Sequence, residues 1–127
     1  MATTGIDEFA EVLVREVRDA AISMCTTDLD PTANSVVAQR WRKASQSANR
    51  EELLKMIIAD AVDGALFHLL YAIDDERMAL SFRASGGEVV DLAKDGSSEL
   101  GGWYMGSDGW RAQYSKELYI DDFADLA

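Results

Sequence analysis

At 127 residues the chain has the length of one ordinary domain, and its 48% hydrophobic and 28% charged make-up predicts a folded, soluble α+β protein. That composition excludes collagen-like, disulfide-framework and low-complexity classes. With 23 Asp and Glu against 12 Lys and Arg the net charge is −11 and the pI about 4.3, which disfavours nucleic acid and anionic membranes and suits a basic protein partner.

The acidity is spread along the chain: net −7 through Glu76 and net −4 from Arg77 onward. A single cysteine and a single histidine exclude an intrachain disulfide and a Cys/His zinc cluster made by one chain. Met1-Ala2-Thr3-Thr4-Gly5 lacks the basic and apolar regions of a secretory leader. With one lone thiol, the expected compartment is the cytoplasm.

The first helix is expected over residues 6–24. Ile6, Phe9, Ala10, Leu13, Val17, Ala20, Ala21 and Met24 form one stripe at helical spacing, and Glu8, Glu11, Arg15, Arg18 and Asp19 lie opposite. Cys25, near its end, reads as a small, partly buried hydrophobe. Asp30 followed by Pro31 signals a second helix, running to Ala44 or Ser47 with Ala33, Val37, Trp41, Ala44 and Ala48 on a narrow apolar side.

Asn49 caps a third helix over residues 50–74, with Glu51 and Glu52 complementing the helix dipole in its first turn. Leu54, Ile58, Ala61, Val62, Ala65, Leu66, Leu69, Leu70, Ala72 and Ile73 cover half its circumference or more. Met56, Phe67 and Tyr71 share the remaining arc with Asp60, Asp63, Gly64 and His68. A helix apolar nearly all round is buried on more than one side. The simplest packing sets the first two helices on its aliphatic side and a sheet on its aromatic side. Lys55, Asp60, Asp63 and His68 interrupt the run and argue against a membrane span.

After Asp74-Asp75-Glu76 the pattern changes. Residues 78–83 alternate apolar and polar, Ser85-Gly86-Gly87 is a turn, and residues 89–92 pair back as a strand. Residues 94–98 form a loop. Gly102-Trp103-Tyr104-Met105 and Trp110-Arg111-Ala112-Gln113-Tyr114 flank Gly106-Ser107-Asp108-Gly109, which reads as a second hairpin whose glycines permit positive φ. In the tail, residues 118–127, Ile120, Phe123 and Leu126 recur at spacing three. They fit either a short C-terminal helix or an acidic tail docked by three anchors. The expected architecture is three N-terminal helices packed on an antiparallel sheet of about four strands.

Few patterns carry chemistry. Asp28-Leu29-Asp30 opens like a calcium loop, but Thr32, Ala33 and Gln39 stand where such a loop needs an oxygen ligand, glycine and glutamate, so no metal is expected. Arg40-Trp41-Arg42-Lys43 is basic with an aromatic, yet Trp41 falls on the apolar stripe and the charges can meet carboxylates within the chain. No phosphate-binding glycine pattern occurs, and no cofactor is expected.

His68 is the one imidazole, and Asp60, Gly64, His68 and Tyr71 share a helix arc. An enzyme, hydrolase-like or isomerase-like, would use His68 as base, Asp60 or Asp75 to orient it and Tyr71 as acid. The aromatic group Trp103, Tyr104, Met105, Trp110 and Tyr114 has the composition of a protein-binding hot spot.

The leading expectation is a non-enzymatic module that binds a basic protein through Asp60, Asp63, Trp103, Tyr104, Asp108 and Trp110. In size and charge it resembles toxin-neutralising, immunity-like proteins and other inhibitors. The alternatives are the enzyme and a structural subunit that self-associates through the aromatic segment.

Overall fold

A computed structural model describes residues 4–123. The Thr4 hydroxyl accepts from the backbone of Asp7 while the Asp7 carboxylate accepts from Thr4, a reciprocal cap that starts helix α1, Gly5–Val12. The chain continues through a π-helical stretch, Leu13–Asp19, into α2, Ala20–Asp28. Together these make one long arm. It runs four residues beyond the expected end, and Thr27 is accommodated by donating its hydroxyl to Ser23 O at 3.0 Å.

The expected helix start at Asp30-Pro31 is displaced to Ser35. The Asp30 carboxylate accepts from both the backbone and the hydroxyl of Thr32, closing a local turn and leaving nothing to cap a helix. Ser35 caps instead, accepting from Ala38 N at 2.9 Å and donating to the buried Asp28 at 2.6 Å. Helix α3, Val36–Ser47, buries Ala38, Trp41 and Ala44, so Trp41 is a core residue as its stripe implied.

Asn49 accepts from Glu52 N at 2.9 Å and opens α4, Arg50–Asp74, with the bounds expected from the sequence. The arm lies along α4, with Met24 occupying the space where Gly64 has no Cβ. Glu16 reaches Arg77 just past the far end of α4. The buried core, Val17, Ala72, Ile73, Met78 and Leu100, gathers at that end.

Strands β1, Ser81–Arg83, and β2, Val89–Asp91, pair antiparallel with Phe82 opposite Val90. Gly87 takes φ 96° in the turn between them, a conformation glycine adopts without strain. A short helix, α5, Leu92–Asp95, replaces part of the expected loop.

The expected second hairpin is two short helices, α6, Leu100–Met105, and α7, Trp110–Tyr114. The described sheet therefore has two strands rather than about four, within an α+β fold. The reason is a distant cap. The Asp74 carboxylate, at the end of α4, accepts from Leu100 N at 3.0 Å and Gly101 N at 2.9 Å, satisfying the amides that open α6. Gly101 fits close against Phe67, so α6, rather than a sheet, covers the aromatic side of α4. Gly109 has an ordinary φ of −81°, and its need for glycine is space: a Cβ would collide with the carbonyl of Trp103.

Residues 118–123 are not helical, which removes the C-terminal helix over that stretch, and Leu126 lies outside the described residues. The tail is held by polar groups. Asp122 lies 2.9 Å from Arg40, Asp121 accepts from Ser107 at 3.1 Å, and the Tyr119 ring lies 4.8 Å from the Arg111 guanidinium.

Candidate functional site

Two carboxylates, one turn apart on α4, lock the surrounding elements onto it. Asp60 accepts from Arg40 Nη2 at 2.8 Å and from Trp41 Nε1 at 2.6 Å, both on α3, and Arg40 also faces Asp122 of the tail. Burial pushes the Asp60 carboxyl above its ordinary value, against the opposing pull of Trp41 and Arg40.

Asp63 accepts from the Tyr104 hydroxyl at 2.6 Å and from Arg111 Nη1 at 2.8 Å, and Arg111 Nη2 donates onward to Met105 O at 3.0 Å. Burial first, and the bond to Asp63 second, hold the Tyr104 phenol far above its ordinary range, so it stays a proton donor to that carboxylate. Asp60, Asp63 and Tyr104, expected as contacts for a basic partner, are therefore engaged inside the fold. A carboxylate taken out of water needs a cation or donors beside it, and these two take theirs from this chain.

Above the Asp63–Arg111 pair lies a groove of about 770 Å3 lined by Ile58, Val62, Trp110, Tyr114, Leu118 and Tyr119. Its polar floor is largely self-satisfied, which suits apolar contact better than proton transfer.

The acid–base arrangement around His68 is not assembled. His68 Nδ1 donates to Gly64 O at 2.8 Å, and the ring meets Phe67 edge-on at 5.7 Å. Asp60 is eight residues away, about 12 Å along the helix, and bonded to Arg40 and Trp41. Asp75 pairs with Arg77, and Tyr71 is exposed beside Phe67. Among the described residues no group of three His, Cys, Asp or Glu could hold a metal ion. Burial, then the carboxylates of Asp28 and Asp60, raise the pKa of the half-buried Cys25 and keep it a thiol.

The other expected contacts do come together. Trp103, 40% exposed, leans on the half-buried Trp110 with ring centres 6.2 Å apart. Gly102, Gly106 and Gly109 leave a shallow depression of about 290 Å3 beside them, with Asp108 on its rim. Tyr104 points the opposite way, to Asp63.

No protein-family model, curated protein or solved structure matches the chain.

A second surface departs from the burial that its apolar pattern predicts. Leu54, Ile58, Val62 and Leu66, spaced four apart on α4, are 46%, 62%, 53% and 40% exposed. The same arc of the helix is covered over Leu69 and Ile73, where the core gathers, and bare over its first half. Beside this ridge an apolar groove of about 410 Å3 runs between the arm and α4. Leu13, Ala21, Ile22 and Leu29 form one wall, and Ile57 and Ala61 part of the other. By length and apolarity α4 could cross a membrane; Asp60 and Asp63 sit at its middle, each in an ion pair.

Proposed function

We propose that this protein is a non-enzymatic acidic binding module whose partner is a basic protein, acting in the cytoplasm as an inhibitor of the toxin-neutralising kind. The observation that carries the reading is the exposed Trp103, braced by Trp110 and bordered by Asp108 and a glycine-lined depression. A large, rigid aromatic held at the surface beside a charge is the common form of an interface hot spot.

The charge supports it. The Arg40–Asp60 and Arg111–Asp63 pairs are each neutral, so the remaining side chains carry the whole −11. That field accelerates encounter with a cationic surface, and the aromatic anchor then slows release. His68, bonded to its own helix and eight residues from an Asp60 held by Arg40 and Trp41, gives the enzyme reading no assembled site.

Affinity capture from the cell of origin, at low and high salt, tests the proposal. The expected result is one stoichiometric basic protein, released by salt, whose Kd rises by about 30-fold or more with Trp103→Ala, the range of an aromatic hot spot. A partner whose binding ignores both salt and Trp103→Ala would overturn it.

A further inference from the structure

The bare half of α4 goes beyond that reading: Ile58 and Val62 share a groove with Trp110, but Trp103 lines neither that groove nor the one between α4 and the arm. A compact protein of this chain's 14.0 kDa exposes roughly 6,700 Å2, whereas this one exposes 8912 Å2. The excess is roughly 2,200 Å2. Deducting about half of that for the seven residues outside 4–123 still leaves more than roughly 1,000 Å2, and a standard interface takes about 800 Å2 from each partner.

We propose that this face binds a second copy of the same chain, as a two-fold dimer formed by α4 and the arm. Self-complementarity is the argument. A two-fold interface needs one patch that carries both a projection and the recess that receives it. Here the ridge Leu54-Ile58-Val62-Leu66 and the groove between α4 and the arm lie side by side on one face. Rows spaced four apart on one helix pack into the matching grooves of another, and the bare stretch from Leu54 to Leu66 is about 18 Å long.

Ala21, Ala61 and Ala65, with their small side chains, leave the recess open for close approach. Among the described residues Arg18 is the one charged residue lining the recess, while Lys55, Asp63 and Glu117 lie across the ridge, in the groove that Ile58 and Val62 also line. A basic protein finds no carboxylate within the recess itself to pair with.

The salt response separates this contact from the one at Trp103. Two chains of −11 repel, and screening relieves the repulsion, so the dimer tightens with salt while binding of a basic partner weakens.

Sedimentation equilibrium across a concentration series is the test. The expected mass is twice 14.0 kDa at high concentration, falling to 14.0 kDa for Ile58→Arg with an unchanged far-UV circular dichroism spectrum, and unchanged for Trp103→Ala. On the unaltered chain, maleimide labelling of Cys25, which lines the groove, is expected to slow as concentration rises. A monomer at every concentration, an assembly larger than two, or a folded Ile58→Arg protein that still dimerises would each overturn the proposal.

Discussion

Replacing Asp63 by alanine is expected to lower the unfolding free energy by about 3–5 kcal/mol, the usual result of removing one partner from a buried ion pair. Arg111 is 6% exposed, and without Asp63 it keeps the Met105 carbonyl as its hydrogen-bond acceptor. The Tyr104 hydroxyl loses its acceptor as well. A domain of this size holds about 5–15 kcal/mol in all, so the variant should lie near its unfolding threshold. Urea denaturation followed by circular dichroism measures the loss.

The double variant Asp63→Leu/Arg111→Met separates the charge from the packing. It removes both ions and keeps apolar volume, and is expected to recover most of the loss. If Asp63→Ala costs less than about 1 kcal/mol, the value of an exposed pair, α6 and α7 are not fixed to α4 in this way.

The second large effect is expected at Trp41. Trp41→Ala removes a side chain that is 5% exposed, at a cost of about 3–5 kcal/mol. Trp41→Phe keeps most of the packing and deletes the Nε1 bond to Asp60, a hydrogen bond to a charged group worth about 1.5–3 kcal/mol. The two variants should also differ in pH response.

Because burial raises the Asp60 pKa above the ordinary 3.8, the folded chain binds this proton more tightly than the unfolded chain. The group therefore favours folding below 3.8 and withdraws that contribution as pH rises through its higher folded value. Trp41→Phe removes a donor that stabilises the ionised form, so its penalty should be larger at neutral pH than in acid. A penalty independent of pH would mean that the indole bond does not act through the Asp60 charge.

Local signals made part of this fold legible. Asn49 and the two glutamates after it set the start of α4, and the Trp41 stripe set its burial. Gly87 and the alternation around it set the β1–β2 turn. What was not legible depends on distant partners. Nothing near Leu100 shows that Asp74 will cap its helix, so glycine-flanked aromatics read as a hairpin.

Asp60 and Asp63 did carry a usable signal. Carboxylates in the middle of an apolar helix, in a chain holding Arg40 and Arg111, point inward to cations before they point outward to a partner. For the ridge at Leu54, Ile58, Val62 and Leu66 there is no such signal, because apolarity is the same whichever chain covers it.

The π-helical stretch in the arm has a consequence for how this chain can vary. Its turn holds an extra residue compared with an α-helix, so the rows on either side of Leu13–Asp19 are out of phase. Deleting one residue there would restore an unbroken α-helix. Everything upstream, Ile6 and Phe9 included, would keep nearly its present bearing, because the residue removed is the one the wide turn absorbs, and Ala20–Asp28 would keep its seat against α4. A length change at this one place is thus taken up within a single turn, and neither the amino-terminal helix nor the packed interior is re-aimed by it.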